Sequence, residues 1–265
     1  MNNFRMQLGI SLVELMIAMV ISSFLILGVS QIYIDNKRNY LFQQGQAGNQ
    51  ENGRFTLQTF EQHISKAGFR RRPDDDFENS FKVDSTTITG CSFKAGQVIT
   101  RPTDTGLSDK GVCIRYEPRD ANEADCQGNL LSDTNNLNNP YTAPNAVFVE
   151  KIYLNSSSQL VCTSINPSDG AQVTGILAEG VEAIRFDFGI GDGNRTVKSY
   201  TATPDANADT IYAVRYSALM ASPAKLAVND SVAYTNWYGS SASAPTAGKL
   251  YQKVGNSISV RNLLP

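Results

Sequence analysis

Residues 10–34 read ISLVELMIAMVISSFLILGVSQIYI, and this stretch decides the fold. It contains one ionisable side chain, that of Glu14. A helix of roughly 20 apolar residues crosses a bilayer, whereas the apolar region of a secretory signal peptide is only about 7–15 residues long. No small-residue cleavage site follows the stretch. We therefore predict a membrane-spanning helix that stays in the mature protein.

The helical pattern continues beyond this apolar stretch. The first proline is Pro73, and apolar side chains recur mostly at helical spacing before it, at Phe55, Leu57, Phe60, Ile64 and Ala67. Glycines at positions 45, 48 and 53 each cost a helix about 1 kcal/mol relative to alanine. We still predict one nearly continuous helix over residues 10–67. Its apolar half (10–34) spans the membrane, and its amphipathic half (35–67) is a stem that packs on a head.

From about residue 80 the pattern becomes strand-like. Segments rich in β-branched and aromatic residues alternate with Asn-, Asp-, Ser- and Pro-rich loops, which is typical of strands and their connections. The candidate strands are residues 81–89, 111–117, 146–154, 160–164, 181–188, 211–221 and 250–261, and the longest loops are 118–145 and 222–249. These features predict an α+β fold, in which the long N-terminal α-helix packs on a mostly antiparallel β-sheet head at residues 68–265. The charged residues 70–76 are expected to form an exposed loop.

All four cysteines lie after the apolar stretch, at positions 91, 113, 126 and 162. An even number of cysteines in an exported, loop-rich region favours disulfides over four buried thiols. Four cysteines allow three connectivities, and the residue types do not choose among them. Position along the chain favours Cys91–Cys113 and Cys126–Cys162.

The start of the helix combines a possible cleavage site with a lone acid. A short leader that contains Arg5 ends at Gly9, the apolar helix begins at Ile10, and its fifth residue is Glu14. A carboxylate inside a membrane helix costs at least a few kcal/mol and needs a counter-charge. Cleavage after Gly9 would create an α-amino group on Ile10, one helical turn from Glu14. That amine can pair with Glu14 of the same chain or of a neighbour. For Glu14 alone, a side chain that snorkels to the lipid headgroups is the alternative.

This arrangement resembles the class III signal peptide and N-terminal helix of type IV pilins and pseudopilins. In that family a prepilin peptidase cleaves after the glycine and methylates the new N-terminus. The resemblance therefore implies a cleaved leader at residues 1–9, cleavage between Gly9 and Ile10, N-methylation of Ile10 and an assembly role for Glu14. Ile10 replaces the usual phenylalanine, and the helix-kinking proline of many major pilins is absent.

The head motifs resemble those of the PilW family of minor pilins. They are GVCIRYE (111–117), ILAEGVEAIRFDFGIGDGN (176–194), YAVRYSALMASP (212–223) and ISVRNLL (258–264). This resemblance implies a minor pilin of a type IV pilus, held in the bacterial inner membrane with a periplasmic head and later carried in the pilus. It implies priming of pilus assembly and a tip complex, with prepilin peptidase, other minor pilins, the major pilin and a tip adhesin as partners. The alternative is a minor pseudopilin of a type II secretion system.

Other kinds of function find little support in the sequence. With 23 basic and 25 acidic residues, the chain has no excess of positive charge for nucleic acid. His63 is the only histidine, which argues against a usual zinc site. Asp187, Asp192 and Asn194 make a weak calcium candidate, and a plain β-turn is the favoured alternative. No catalytic motif occurs, so we expect neither a cofactor nor an enzymatic activity; a membrane-tethered periplasmic enzyme is the rival of another class.

Overall fold

The fold is described here from a computed structural model. It describes residue 9 and residues 11–131, 137–139, 141–142, 147–167, 169–191, 196–205, 209–222, 232–239 and 248–263. Over these residues a long N-terminal helix packs on a head of two antiparallel sheets. This is the predicted α+β arrangement.

The long helix, α1, covers Leu12–Ile64. Its 53 residues correspond to a length of about 80 Å at 1.5 Å per residue. The helix ends three residues earlier than predicted, and Gly68, with a φ of 75°, turns the chain away. The side chain of Asn262 satisfies the carbonyl groups left open at this end, because its Nδ2 donates to the carbonyls of Ser65 at 3.2 Å and Ala67 at 3.0 Å.

The head contains two sheets. The first has the order β1-β2-β3-β4-β5 and the second β7-β6-β8-β9. The strands are β1 (Ile99–Thr100), β2 (Gly111–Tyr116), β3 (Phe148–Leu154), β4 (Gln159–Ile165), β5 (Gln172–Glu179), β6 (Val181–Gly191), β7 (Val197–Thr201), β8 (Thr210–Ala221) and β9 (Tyr251–Ser259). The short helices are α2 (Phe77–Ser80), α3 (Val232–Tyr238) and a 3₁₀ turn at Arg261–Leu263.

Six of the predicted strands are confirmed, as β2, β3, β4, β6, β8 and β9. The strand predicted at residues 81–89 is wrong. Only an isolated bridge between Asp84 and Phe93 forms there, because the Asp84 carboxylate accepts hydrogen bonds from the N–H groups of Thr86 and Thr87, both at 3.0 Å, and turns the chain.

The core lies between the two sheets and the last turns of α1. Phe60 and Ile64 of α1 are fully buried there. The ring of Phe60 lies 5.4 Å from that of Phe186 on β6 and 4.7 Å from that of Tyr216 on β8. Aromatic pairs of this kind add about 0.5–1.5 kcal/mol beyond the area that they bury. The stem is therefore part of the core of the head.

Two buried arginines hold irregular segments of the chain in place. One of them, Arg71, lies within residues 70–76, so the expectation of an exposed loop is wrong at that position. Arg71 is 8% exposed, and its guanidinium donates to the carbonyls of Thr142 at 3.0 Å and Leu137 at 3.2 Å. Arg115 is 1% exposed and donates to the carbonyls of Gln97 and Lys94, both at 2.6 Å. Burial lowers the pKa of Arg115 to about 10. Arg115 ties the loop before β1 to strand β2, and Arg71 ties the segment after α1 to residues 137–142.

Both disulfides favoured by chain position are present. Cys91–Cys113 ties the loop before β1 to β2, and Cys126–Cys162 ties the segment after β2 to β4. Both therefore reinforce the first sheet and its attached loops. A disulfide that closes a loop of 22 or 36 residues stabilises a fold by about 3–4 kcal/mol in the chain-entropy model.

Candidate functional site

The apolar half of α1 has no partner within the described chain. Every residue from 11 to 40 is exposed. The large apolar side chains lie on all sides of the helix, with Leu12 73% exposed and Phe24 69% exposed. The helix contains a window with a mean hydropathy of 2.5, long and apolar enough to cross a membrane. This surface requires lipid or other apolar helices around it.

Glu14 lies in the first turn of α1. Among the residues that the structure describes, none donates a hydrogen bond to its carboxylate. The positive end of the helix dipole favours an acid in the first turn by about 0.3–1 kcal/mol. That is less than the few kcal/mol that burial of a charge in a membrane costs. Gly9 is exposed, whereas Ile10 and residues 1–8 lie outside the described residues, so the predicted cleavage and methylation stay predictions.

The stem half of α1 meets the head through small residues. Gly45, Asn49, Gly53 and Thr56 are buried and recur at intervals of three and four residues. A Cβ on Gly53 would lie only 2.9 Å from Cγ1 of Val254 on β9. The glycine thus permits a close approach of helix and sheet. The sequence placed Phe55 on the packed face, but Phe55 is 52% exposed.

Two hydrogen bonds fix the stem to the second sheet. Nδ2 of Asn49, itself 2% exposed, donates to the carbonyl of Leu250 at 2.9 Å. The hydroxyl of Tyr216 donates to the carbonyl of Leu57 at 3.0 Å. A buried polar group is stabilising only when it is hydrogen-bonded, so these contacts specify how far along the sheet the helix lies.

The last turn of α1 is held by a buried carboxylate on the first sheet. Glu150 of β3 is fully buried, and its Oε2 lies 2.8 Å from Nδ1 of His63. Its Oε1 accepts hydrogen bonds from the Tyr116 hydroxyl at 2.8 Å and from the Cys126 N–H at 2.9 Å. Burial and then the neighbouring carboxylate raise the pKa of Tyr116 well above its usual range. The His63 ring, the Tyr116 hydroxyl and the Cys126 N–H therefore offset the cost of burying the Glu150 carboxylate.

Two groups of residues were considered as metal sites, and the structure describes one of them completely. Sγ of Cys126 and Sγ of Cys162 lie within 4.8 Å of a Glu150 oxygen. The two sulfurs form a disulfide, however, and metal binding requires thiolates. Asp187, the described member of the calcium candidate, pairs with Arg215 at 3.1 Å. Asp192 and Asn194 lie outside the described residues, so the calcium prediction stays a prediction.

The sequence located Glu14 and the cysteines but missed the contacts that hold the stem. His63 and Glu150 are 87 positions apart, and no local pattern joins them. One signal was present: a histidine on the same helical face as Phe60 had to be buried with a polar partner. The glycines at positions 45 and 53 appeared only as weak points of the helix.

Two family models match this chain. The prokaryotic N-terminal methylation motif matches residues 4–30, which include Gly9 and Glu14. The model of type IV pilus-assembly protein W (PilW) matches residues 148–262, from β3 to the 3₁₀ turn.

The chain is also similar to a solved structure, and no curated protein matches it. The solved structure is a type IV-like pilin from Thermus thermophilus, 13% identical over 80% of this chain and 97% of that chain, with a TM-score of 0.49. The two family matches fall on the two parts that the structure joins, the exposed apolar helix and the head. Residues 148–262 are thus similar to type IV pilus-assembly protein W, and the prokaryotic N-terminal methylation motif lies at the start of a helix that is long and apolar enough to cross a membrane.

Proposed function

We propose that this chain is a minor pilin of a type IV pilus, with a structural role rather than a catalytic one. The observation that carries the proposal is the exposure of apolar side chains all around residues 12–34 of α1, while the second half of the same helix is packed on its own head. Such a helix is stable in lipid, and it is equally stable among similar helices in a filament. Transfer from one to the other does not expose it to water.

Processing at Gly9 would give α1 a specific contact with neighbouring subunits in the filament. Cleavage by prepilin peptidase between Gly9 and Ile10, followed by methylation of the Ile10 amine, would create a cation one helical turn from Glu14. In a filament, the amine of one subunit can pair with Glu14 of its neighbour, which relieves the cost of an isolated charge. The pair would fix the axial register of adjoining subunits.

The match to pilus-assembly protein W over residues 148–262 supports a role of the head in assembly. We propose that the protein stays in the bacterial inner membrane until assembly, with the head in the periplasm. There it primes the filament together with other minor pilins and the major pilin. It then takes part in a tip complex that carries an adhesin.

The first test is the N-terminus of the molecules that filaments carry. Mass spectrometry of sheared filaments should find a methylated Ile10 as the first residue. An intact leader at residues 1–9 in filament-borne molecules would contradict the proposal. Deletion of the gene should abolish pili and leave type II secretion intact, whereas lost secretion with intact pili would indicate a pseudopilin.

The second test is Glu14→Ala. Loss of a charge pair worth a few kcal/mol should lower the filament-borne fraction at least about tenfold, while the amount in the membrane stays unchanged. Immunoblots of filament and membrane fractions measure both quantities. Ser22→Ala, which removes a neutral polar group from the same apolar segment, is the control and should assemble normally. Normal incorporation of Glu14→Ala would overturn the pairing mechanism.

A further inference from the structure

The second sheet has an outer face that the proposed function does not use. Successive residues of a strand point to opposite faces. Phe186 of β6 and Tyr216 of β8 point inward and contact Phe60 of α1. Arg185 and Ser217, the residues before and after them, therefore lie on the side turned away from α1. Helix α3 packs on one end of this side through Trp237.

The centre of this outer face has small side chains on β8 and β9. Arg185 pairs with Ser217, and Ser217 pairs with Gly255 of β9, so the three residues form one row across the sheet. Gly255 is exposed, and a Cβ on it would lie 2.9 Å from the carbonyl oxygen of Tyr216. Ser217 and Gly255 therefore form the low part of the row, which we call the floor, and Arg185 lies at its β6 end.

Two cation–aromatic pairs border this floor. On one side, the guanidinium of Arg185 lies 4.6 Å from the ring centre of Trp237 on α3 and donates to the Trp237 carbonyl at 2.7 Å. Nζ of Lys253 lies 6.0 Å from the same ring. On the other side, the guanidinium of Arg215 lies 4.6 Å from the ring centre of Tyr200. The floor and its two borders form a shallow channel, which we call the β8–β9 channel.

Among the described residues, the β8–β9 channel has more cations than carboxylates that pair with them. Arg185, Arg215 and Lys253 are exposed, and Asp187 pairs with Arg215, at 3.1 Å. The nearby Glu182 is directed to Lys249, at 3.6 Å. Within the part of the chain that the structure describes, Arg185 and Lys253 have no carboxylate partner. Two cations at one border thus lack a carboxylate partner among the residues that the structure describes, although the whole chain carries a net charge of -2.

We propose that the β8–β9 channel binds an acidic, extended segment of a partner protein. Its carboxylates would pair with Arg185 and Lys253, and its backbone would cross the floor at Ser217 and Gly255. Arg185 is suited to this role because Trp237 already holds its guanidinium, so little side-chain freedom remains to be lost on binding. The inference goes beyond the proposed function, since it names the chemistry of a head partner and requires no filament.

Trp237 allows binding in the β8–β9 channel to be followed by fluorescence, because it is the only tryptophan in the chain. The full-length protein in detergent micelles is titrated with an oligoglutamate peptide while tryptophan fluorescence is recorded. A saturable change is expected with oligoglutamate and none with oligolysine. The affinity should fall with added salt, since exposed charges are screened.

Two variants localise the binding. Lys253→Gln should weaken the affinity about twofold to fivefold, the effect typical of one exposed charge pair. Lys82→Gln removes the same charge from an exposed position of the loop before β1 and should leave the affinity unchanged. Equal weakening by the two variants would indicate unspecific attraction and overturn the proposal.

Two further outcomes would also overturn the proposal. One is the absence of a saturable change with oligoglutamate. The other is a tighter response to inorganic phosphate or to phosphatidylglycerol vesicles than to the peptide, which would assign the channel to small anions or to lipid. Because these titrations do not involve Gly9 or Glu14, their failure would leave the proposed pilin function untouched.

Discussion

The two halves of α1 share one helix but differ in what surrounds them. Residues 11–40 are exposed throughout, whereas Gly53, Phe60 and Ile64 are buried against the head. An apolar surface without a partner in its own chain must find one outside it. The difference teaches that folding of the head covers only the stem, and that the rest of α1 needs lipid or other apolar helices around it.

The sharpest test of this difference applies one substitution to each half. Phe60→Ala should lower the free energy of unfolding of the head by about 3–5 kcal/mol, because it leaves a cavity beside Phe186 and Tyr216. Phe24→Ala should change it by less than about 0.5 kcal/mol, since Phe24 contacts no part of the head. Denaturant unfolding of the full-length protein in micelles measures both. Similar losses for the two variants would break the distinction between the halves.

A smaller effect compares two glycines of the stem. Gly48 has open space around its Cα, so Gly48→Ala should stabilise the protein by about 0.5–1 kcal/mol through better helix propensity. Gly53→Ala should instead destabilise it by about 1 kcal/mol, because the new Cβ overlaps with Val254. The same unfolding assay measures the sign of each change. If both variants are stabilised alike, the helix does not approach β9 as closely as described.

The smallest effect concerns Glu117, which accepts a hydrogen bond from Arg71 just after α1. Glu117 is 4% exposed and accepts the Arg71 N–H at 2.6 Å, and burial raises its pKa above the ordinary value of 4.5. An acid with a raised pKa contributes stability that is fully present below its unfolded pKa and is lost as the pH rises through the folded pKa. Glu117→Gln should therefore gain stability relative to the parent as the pH rises above about 4.5.

Unfolding curves at a series of pH values measure this difference for Glu117→Gln. Glu51→Gln is the control, since it makes the same substitution at an exposed position of the stem. A stability difference for Glu117→Gln that does not change with pH would contradict the proposed effect of burial.

The sequence predicted those features whose cause is local. The apolar run predicted α1, and β-branched segments predicted most strands. Besides the two-residue β1, it missed β5 and β7, which are two edge strands. Their residues are mostly exposed, as in Gln172 and Lys198, and they lack an apolar alternation. The short helix α3 fell within a predicted loop for the same reason.

The contacts of the stem could not be predicted because they join distant parts of the chain. Glu150 lies in a strand that the sequence predicted, but nothing nearby shows that His63 and Tyr116 reach it. Arg115 and Arg71 look like surface charges, yet backbone carbonyls of irregular segments surround both. Buried charges of this kind depend on long-range backbone geometry, which residue patterns do not record.

The position of Glu150 has a mechanical consequence. It holds the last turn of α1 through His63 and also accepts the N–H of Cys126, which is cross-linked to Cys162. A tensile load applied along α1 thus enters the head beside a covalent bond rather than through side-chain packing alone. Strands β3 and β4 would share that load with the second sheet, which holds α1 at Asn49 and Leu57.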